Sequence, residues 1–560
     1  MGKFTIETMG LDGLVLYVQS LIDRLVRRLR LGKPPRRTGR RLLIVQIDGL
    51  SRAVLEQAIG EGRMPFLRKL LARRRCRLTP MTVGMPTSTP AFQMSAMYGV
   101  RPDIPGFHYH DKRRQTDVYF PRAGDAAFVE ANQAAGRRGI VTGGSTYGCV
   151  FTGGATNNLF SFAMFKRPTR AGLLPLFSAL LVLAWVIAKS VVLTLVELTR
   201  GVLRLVAKPF GNVRRDWKWL ALKVGLSIWI RELFTLSVSR DVYAGVPAIY
   251  VNYLDYDVLA HAFGPRHRRA MRGLRFVDRS LRQLWRVARR VPEHRYDLYV
   301  LSDHGQVHCR PYQTLTGGAP IERRLFDEFF APLHATEVSP GRRAAAGRRI
   351  AGGIKAFRSH REPGIFQRFV NYLERDFPAR LERRADRAPE SFQGGDVRIV
   401  AAGPNAFVYF LDRPEPLTVE TIDERRPGLV EEISRAVGVG LVLVRSATGP
   451  VCAWRGKRYR LGHDEPGPFA GRADLDVVVS GIADLMAMPS AGDLVIYGHQ
   501  AMEGDVSFVH EIGAHAGPSE AELHTFIISP AGVELPAPIH HPVQLYQHFV
   551  KYQRGVSEAA

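Results

Sequence analysis

Cysteine is scarce in this chain of 560 residues, and the four present, Cys76, Cys149, Cys309 and Cys452, are far apart with no CxxC spacing. That excludes a disulfide framework and a zinc ribbon, and leaves the thiols as buried side chains in a reducing compartment. Internal repeats and low-complexity tracts are also missing, which removes solenoids and linker-like architectures. Acidic residues are in deficit: 52 Asp+Glu face 78 Lys+Arg, a formal charge of +26. Such a surplus draws polyanions, and an anionic membrane leaflet or nucleic acid would both answer to it. The arginines are dispersed and do not alternate with aromatic platforms, so nucleic acid is the disfavoured partner. No secretory leader is evident either. The apolar stretch around Leu14–Val18, Leu21, Ile22 and Leu25 contains Gln19 and Asp23 and ends in an arginine run, so it reads as a basic amphipathic helix lying on anionic lipid.

Three short apolar runs share one design. Leu42 to Ile47 ends on Asp48-Gly49, Ala248 to Leu254 runs into Asp255 and Asp257, and Leu298 to Leu301 leads to Asp303-His304-Gly305. A continuous apolar strand that delivers a carboxylate at its end is the pattern of a buried parallel strand. Repeated between helical stretches, it predicts an α/β fold with a doubly wound, mostly parallel central sheet whose site lies along the carboxyl edge. Residues 171–188 carry no charge, long enough to consider for a bilayer. Trp217 to Val238 mixes tryptophans with Lys and Arg, which suits a membrane interface. Because Asp48 precedes this insertion while Asp257 and Asp303 follow it, a single crossing would split the site. A hairpin, a re-entrant element or an interfacial helix pair remains.

The organisation expected is therefore a basic amphipathic segment at 1–41, the first part of the catalytic domain at 42–160, and a membrane-associating helical insertion at 161–240. The catalytic domain continues at 241–335, followed by an Arg-rich helical segment at 336–395. A small α+β cap at 396–470 comes next, and the catalytic domain resumes over 471–560, beginning with Asp493-Leu494-Val495-Ile496-Tyr497. Within the cap, strands are expected at 397–401, 406–411 and 440–444, a helix at 419–437 and a hairpin at 451–461.

The ligand-type residues fit one another. Asp257 and His261 are four apart, on one face of a helical turn, where carboxylate and imidazole can converge on one cation. Asp303 and His304 sit in a tight turn, and His515 is flanked by Gly513 and Gly517. Mixed oxygen and nitrogen donors favour zinc, with manganese as the alternative. Between the first two strand ends lies Pro86-Thr87-Ser88-Thr89-Pro90, whose hydroxyls stand at a helix start. One of them can attack phosphorus, or simply cap the helix.

Together these residues resemble the alkaline phosphatase superfamily, in its type I phosphodiesterase and nucleotide pyrophosphatase branch: strand-Asp-Gly, PTxT, DxxxH, SDHG and a late GxH occur here in that family's order. The resemblance implies a hydrolase of phosphoric esters with two divalent metal ions. One metal is held by Asp257, His261 and His515, and the other by Asp48, Asp303 and His304 with Thr89 completing it. Thr89 is then the nucleophile, with Ser88 as the alternative if the alignment is counted back from Pro90. His110 falls where nucleotide-cleaving members place a substrate-orienting Asn. The CxPxR or SxPxR context of sulfatases is absent. The substrate expected is a phosphoester, lipid-linked given the insertion and the charge, met at the cytoplasmic face of a membrane. Transfer of a phospho-headgroup to a lipid or glycan is a second reading, and a non-catalytic basic membrane scaffold a third.

Overall fold

In the computed structural model the described residues are 39–159, 229–331 and 391–553, with a few isolated positions between 191 and 199. The amphipathic segment, most of the apolar insertion, and the Arg-rich segment before 391 lie outside them. Within the described residues no helix is long and apolar enough to cross a membrane.

Strands of the first half are β1 (Arg41–Ile47), β2 (Cys76–Thr82), β3 (His108–Asp111), β4 (Thr116–Tyr119), β5 (Ser145–Tyr147), β6 (Asn157–Leu159), β7 (Ala248–Tyr253) and β8 (Tyr296–Leu301). Of the strands that follow, those used below are β9 (Phe392–Gly394), β10 (Val397–Ala402), β11 (Asn405–Phe410), β12 (Leu441–Ser446), β13 (Gly449–Trp454), β14 (Lys457–Arg460), β15 (Leu494–Tyr497) and β16 (His524–Pro530). The helices used below are α1 (Arg52–Gly60), α2 (Pro65–Ala72), α3 (Thr89–Tyr98), α4 (Arg231–Ala244), α5 (Asp255–Phe263) and α6 (Arg268–Arg290).

The central sheet has seven strands in the order β2-β16-β8-β1-β7-β5-β6. From β8 to β6 all neighbours are parallel, while β16 runs antiparallel to both β8 and β2. The expected mixed, mostly parallel α/β sheet is what the chain forms. Alternation along β1 explains its two faces: Leu42 and Ile44 enter one apolar core, Leu43, Val45 and Ile47 the other. The second core is covered by α1, α2, α4 and α6, whose apolar residues recur at helical spacing, as Leu274, Val277, Leu281 and Leu284 do on α6. The four cysteines are buried free thiols, as the sequence implied.

Two expectations are corrected. The apolar run at 494–497 does not resume the central sheet; as β15 it is the middle strand of a second, wholly antiparallel seven-stranded sheet, β9-β10-β11-β15-β12-β13-β14. A central antiparallel strand buried on both faces is as uniformly apolar as a parallel one, so its pattern does not name its sheet. The chain returns to the central sheet only at β16. The single helix expected at 419–437 is two, Val419–Arg425 and Leu429–Ile433, parted at Pro427-Gly428, where Gly428 takes φ +80°. The strands expected at 397–401, 406–411 and 440–444 and the hairpin at 451–461 are present as β10 to β14 within a residue or two.

The end of the stretch read as interfacial is core. Over α4 the side chains of Phe234, Leu236, Val238 and Val242 are buried against the central sheet, and Arg231 is buried with them. Its guanidinium bonds Asp255 at 2.8 Å and Glu232 at 3.3 Å. Burial pushes the Asp255 carboxyl up to about 6 despite that partner. Arg231→Met is expected to destabilise the protein by about 3–5 kcal/mol, because it strands the acids without their counter-charge. Denaturant titration checks it.

Candidate active site

Strands β8, β1 and β7 are adjacent and parallel, with Ile47 beside Tyr253 and Gln46 beside Leu301. Their carboxyl ends are therefore level, and each hands an acidic residue to the same edge. Asp48 leaves β1, Asp303 leaves β8, and Asp257 opens α5 after β7. Gly49 makes this approach feasible: it takes φ +71°, and a Cβ there would lie 2.5 Å from Oδ1 of Asp257. The Gly49 amide donates to Asp303 Oδ1 at 3.3 Å and the Leu50 amide to Ser302 Oγ at 3.0 Å, tying the ends of β1 and β8 together.

Two ligand groups result. Asp48, Asp303 and His304 form one, and Asp257, His304 and His515 the other. His304 belongs to both, and its ring stacks on that of His515 with centroids 3.7 Å apart. His261 stands beside the second group, its Nε2 3.4 Å from Asp257 Oδ2 and its ring 5.0 Å from that of His515. The resemblance gives His304 to one metal and His261 to the other; here His304 lies within reach of both groups and His261 borders the second.

The imidazoles share one orientation. Nδ1 of His261 donates to Gly513 O at 2.8 Å, that of His304 to Gly305 O at 3.0 Å, and that of His515 to Thr87 O at 2.9 Å. A carbonyl can only accept, so each ring keeps a proton on Nδ1 and turns Nε2 inward, the orientation that histidine ligands of metals take. Glu511 adds a carboxylate 2.8 Å from the same Nδ1 of His261. Glu511→Gln is expected to weaken metal affinity on the order of 10–100-fold while leaving the fold intact, readable by competition with a chromogenic chelator.

The electrostatics also call for cations. Burial, then the nearby Asp303 and Asp257, push the Asp48 carboxyl well above the usual range, and burial raises Asp303 as well. Asp257 is buried too but is held low by His261. Burial, followed by His304 and His261, keeps His515 neutral, well below the usual imidazole value. Oδ2 of Asp303 is buried with no hydrogen-bond partner. Closely set carboxylates, inward-facing Nε2 atoms and an orphaned oxygen fit divalent cations.

Thr89 begins α3, and its Oγ1 lies 3.4 Å from Asp48 Oδ1 and 3.2 Å from His304 Nε2. Ser88 is the N-cap, makes no capping bond, and has a buried Oγ without a partner. Thr87 clamps the late loop: its Oγ1 donates to Gly517 O and accepts from the Ala516 amide, both at 3.0 Å. Gly513 packs so close to α5 that a Cβ would stand 2.3 Å from Ala260 O. His110, in the β3-β4 hairpin, bonds Asp117 Oδ1 through Nδ1 at 2.8 Å, and its amide donates to Tyr409. Asp117 in turn pairs with Arg398. These contacts fasten the hairpin to the second sheet and do not reach the seven residues above.

Sequence reasoning missed Asn252, whose Nδ2 donates to Asp48 Oδ2 at 2.6 Å. It also missed Gln306, which bonds the Asp257 carboxylate, as well as Glu511 and the clamp made by Thr87. Asn252 left a signal: it is a polar residue inside an otherwise apolar buried strand.

The family described as Type I phosphodiesterase / nucleotide pyrophosphatase matches residues 199–391, a span that contains Asp257, His261, Asp303 and His304. Over that span the chain is similar to this family. The resemblance carried by the motifs is thus borne out, and the enzyme class that goes with it is hydrolysis of phosphoric esters. Two solved structures of phosphonoacetate hydrolase from Sinorhizobium meliloti 1021 are also similar to the chain. The one with phosphonoacetate is 12% identical and the one with phosphonoformate 13%, each with a TM-score of 0.42 over 92% of this chain and 95% of theirs. No curated protein matches it.

Proposed function

We propose that the chain hydrolyses phosphoric esters through Thr89, with two divalent cations held by Asp48, Asp303 and His304 on one side and Asp257, His515 and His261 on the other. The observation that carries this reading is the common orientation of the three histidines around buried carboxylates, with the Thr89 hydroxyl among them. Cations bound there would supply the positive charge that stabilises an alkoxide and a leaving oxygen. Zinc suits the mixed donors best, with manganese as the alternative.

The chain's own residues do the rest. Asn252 fixes the Asp48 carboxylate, so the oxygen facing Thr89 is held. Thr89 stands in the first turn of α3, where the helix dipole favours a developing anion. Its oxygen attacks phosphorus in line, the P–O bond to the alcohol breaks, and the alcohol leaves with a proton. Water then cleaves the phosphothreonine, returning the hydroxyl and releasing phosphate or a monoester. Release of p-nitrophenol from mono- and diester substrates with added zinc or manganese tests the reading, and absence of turnover with either metal would reject it.

The reading extends to a phosphorylated lipid at the cytoplasmic face of an anionic membrane. The support is the uncharged run 171–188 and the +26 charge. Flotation of the full chain with phosphatidylglycerol vesicles, absent with phosphatidylcholine alone, is the expected result.

A further inference from the structure

A groove of about 820 Å³ lies between α2 and α6, lined by nine Lys and Arg side chains and a single acid, Asp278. Six of these are arginines of α6, and five of them, Arg275, Arg279, Arg282, Arg286 and Arg289, recur regularly, with Arg290 beside the last. Their spacing of four, three, four and three puts them on one stripe of the helix. From 275 to 289 the stripe runs roughly 21 Å at the helical rise. Lys69, Arg73 and Arg75 form the facing wall, and Phe66, Leu70 and Trp285 the floor, where Phe66 and Trp285 meet edge-on at 6.4 Å.

Asp278 does not neutralise this field. Its carboxylate accepts from the amides of Phe66 and Leu67, both at 2.9 Å, and so caps the start of α2. Arg279 and Arg282 are held below the usual guanidinium value, by burial first and then by neighbouring arginines. Like charges lined up on both walls of a cleft are stable together only at a cost that a bound polyanion removes.

The groove is remote from the metal ligands. α6 descends from the carboxyl edge of the sheet, and Arg290 stands just before β8 begins, as Arg75 does before β2. Both strands run antiparallel to β16, so they start at the same, amino edge. The site is at the opposite end of the sheet from Asp48, Asp257 and Asp303.

We propose that this groove is a second, non-catalytic binding site for a ligand carrying several phosphate groups in a row, seated between the arginine stripe of α6 and Lys69, Arg73 and Arg75. A flat, singly charged surface would reach the rims alone, whereas a linear oligophosphate engages both walls along the cleft. The ligand can be a free oligophosphate or a polyphosphorylated lipid headgroup, and the chemistry of recognition is shared. The proposal is independent of the reading of the metal site.

Trp285 gives a located readout, taken as the fluorescence difference between the wild-type chain and Trp285→Phe. The full chain is titrated with sodium tripolyphosphate, and separately with phosphatidylcholine vesicles doped with a phosphatidylinositol bisphosphate. A saturable change with tripolyphosphate is expected. It should weaken by about tenfold or more in Arg279→Gln/Arg286→Gln, which loses two charge-assisted contacts. Both side chains line the open groove among like charges and keep solvent access there, so the variant should unfold at or near the wild-type temperature. A response to the doped vesicles alone, lost in the same variant, supports the site and assigns it to a headgroup. No response to either probe overturns the proposal, even if poly-U is bound, as does a response of equal affinity in the double variant.

Discussion

Thr89→Ala is expected to lower kcat for a p-nitrophenyl ester on the order of 10³-fold or more, with bound metal retained. The reason is positional. Removing Oγ1 takes away the one hydroxyl that lies within 3.4 Å of both Asp48 and His304, while every carboxylate and imidazole stays in place. Ser88→Ala is the paired control. Its Oγ makes no hydrogen bond and no cap, so its loss should cost little turnover. Steady-state kinetics on both variants separate the two hydroxyls that the Thr89-Pro90 junction left open in the sequence. Loss of turnover in Ser88→Ala with an active Thr89→Ala would reverse the assignment.

Removal of divalent ions is the second large effect. Prolonged dialysis against a chelator is expected to abolish turnover and to lower the melting temperature, and added zinc or manganese to restore both. Asp48 and Asp303 are buried and repel one another and Asp257, so the ion-free site carries charge that the protein groups alone do not balance. Ion binding to the folded state alone stabilises by about 2.7 kcal/mol at a free concentration 100 times Kd. A melting curve with and without the chelator reads it. An unchanged curve with full activity in the chelator would contradict the cation requirement.

Much of the site was legible because each part is a local pattern. Strands β1, β7 and β8 are continuous apolar runs that stop on acids, and parallel pairing alone makes their ends level. The Asp257 and His261 pair needed only helical periodicity, and α5 supplies it. What the sequence could not state is which distant residue completes each ligand. Asn252 reaches Asp48, Thr87 holds His515 and Glu511 supports His261, each contact joining segments far apart in the chain. That His304 faces both ligand groups was likewise a matter of side-chain geometry. Strand β15 was misassigned for a different reason, since burial on both faces erases the alternation that marks an antiparallel strand. The Pro427-Gly428 break was a readable signal outweighed by the apolar spacing on either side. Arginines judged dispersed along the chain are gathered in space: the stripe on α6 is periodic, but its opposite wall comes from α2 and the turn after it.

The metal content of the purified full chain tests the central claim most directly. Elemental analysis is expected to find about two equivalents of zinc or manganese per chain, as two-metal phosphoester chemistry requires, and fewer in Asp303→Asn. Metal-free protein that still turns over a phosphoester, or two full equivalents retained in Asp303→Asn, would contradict it.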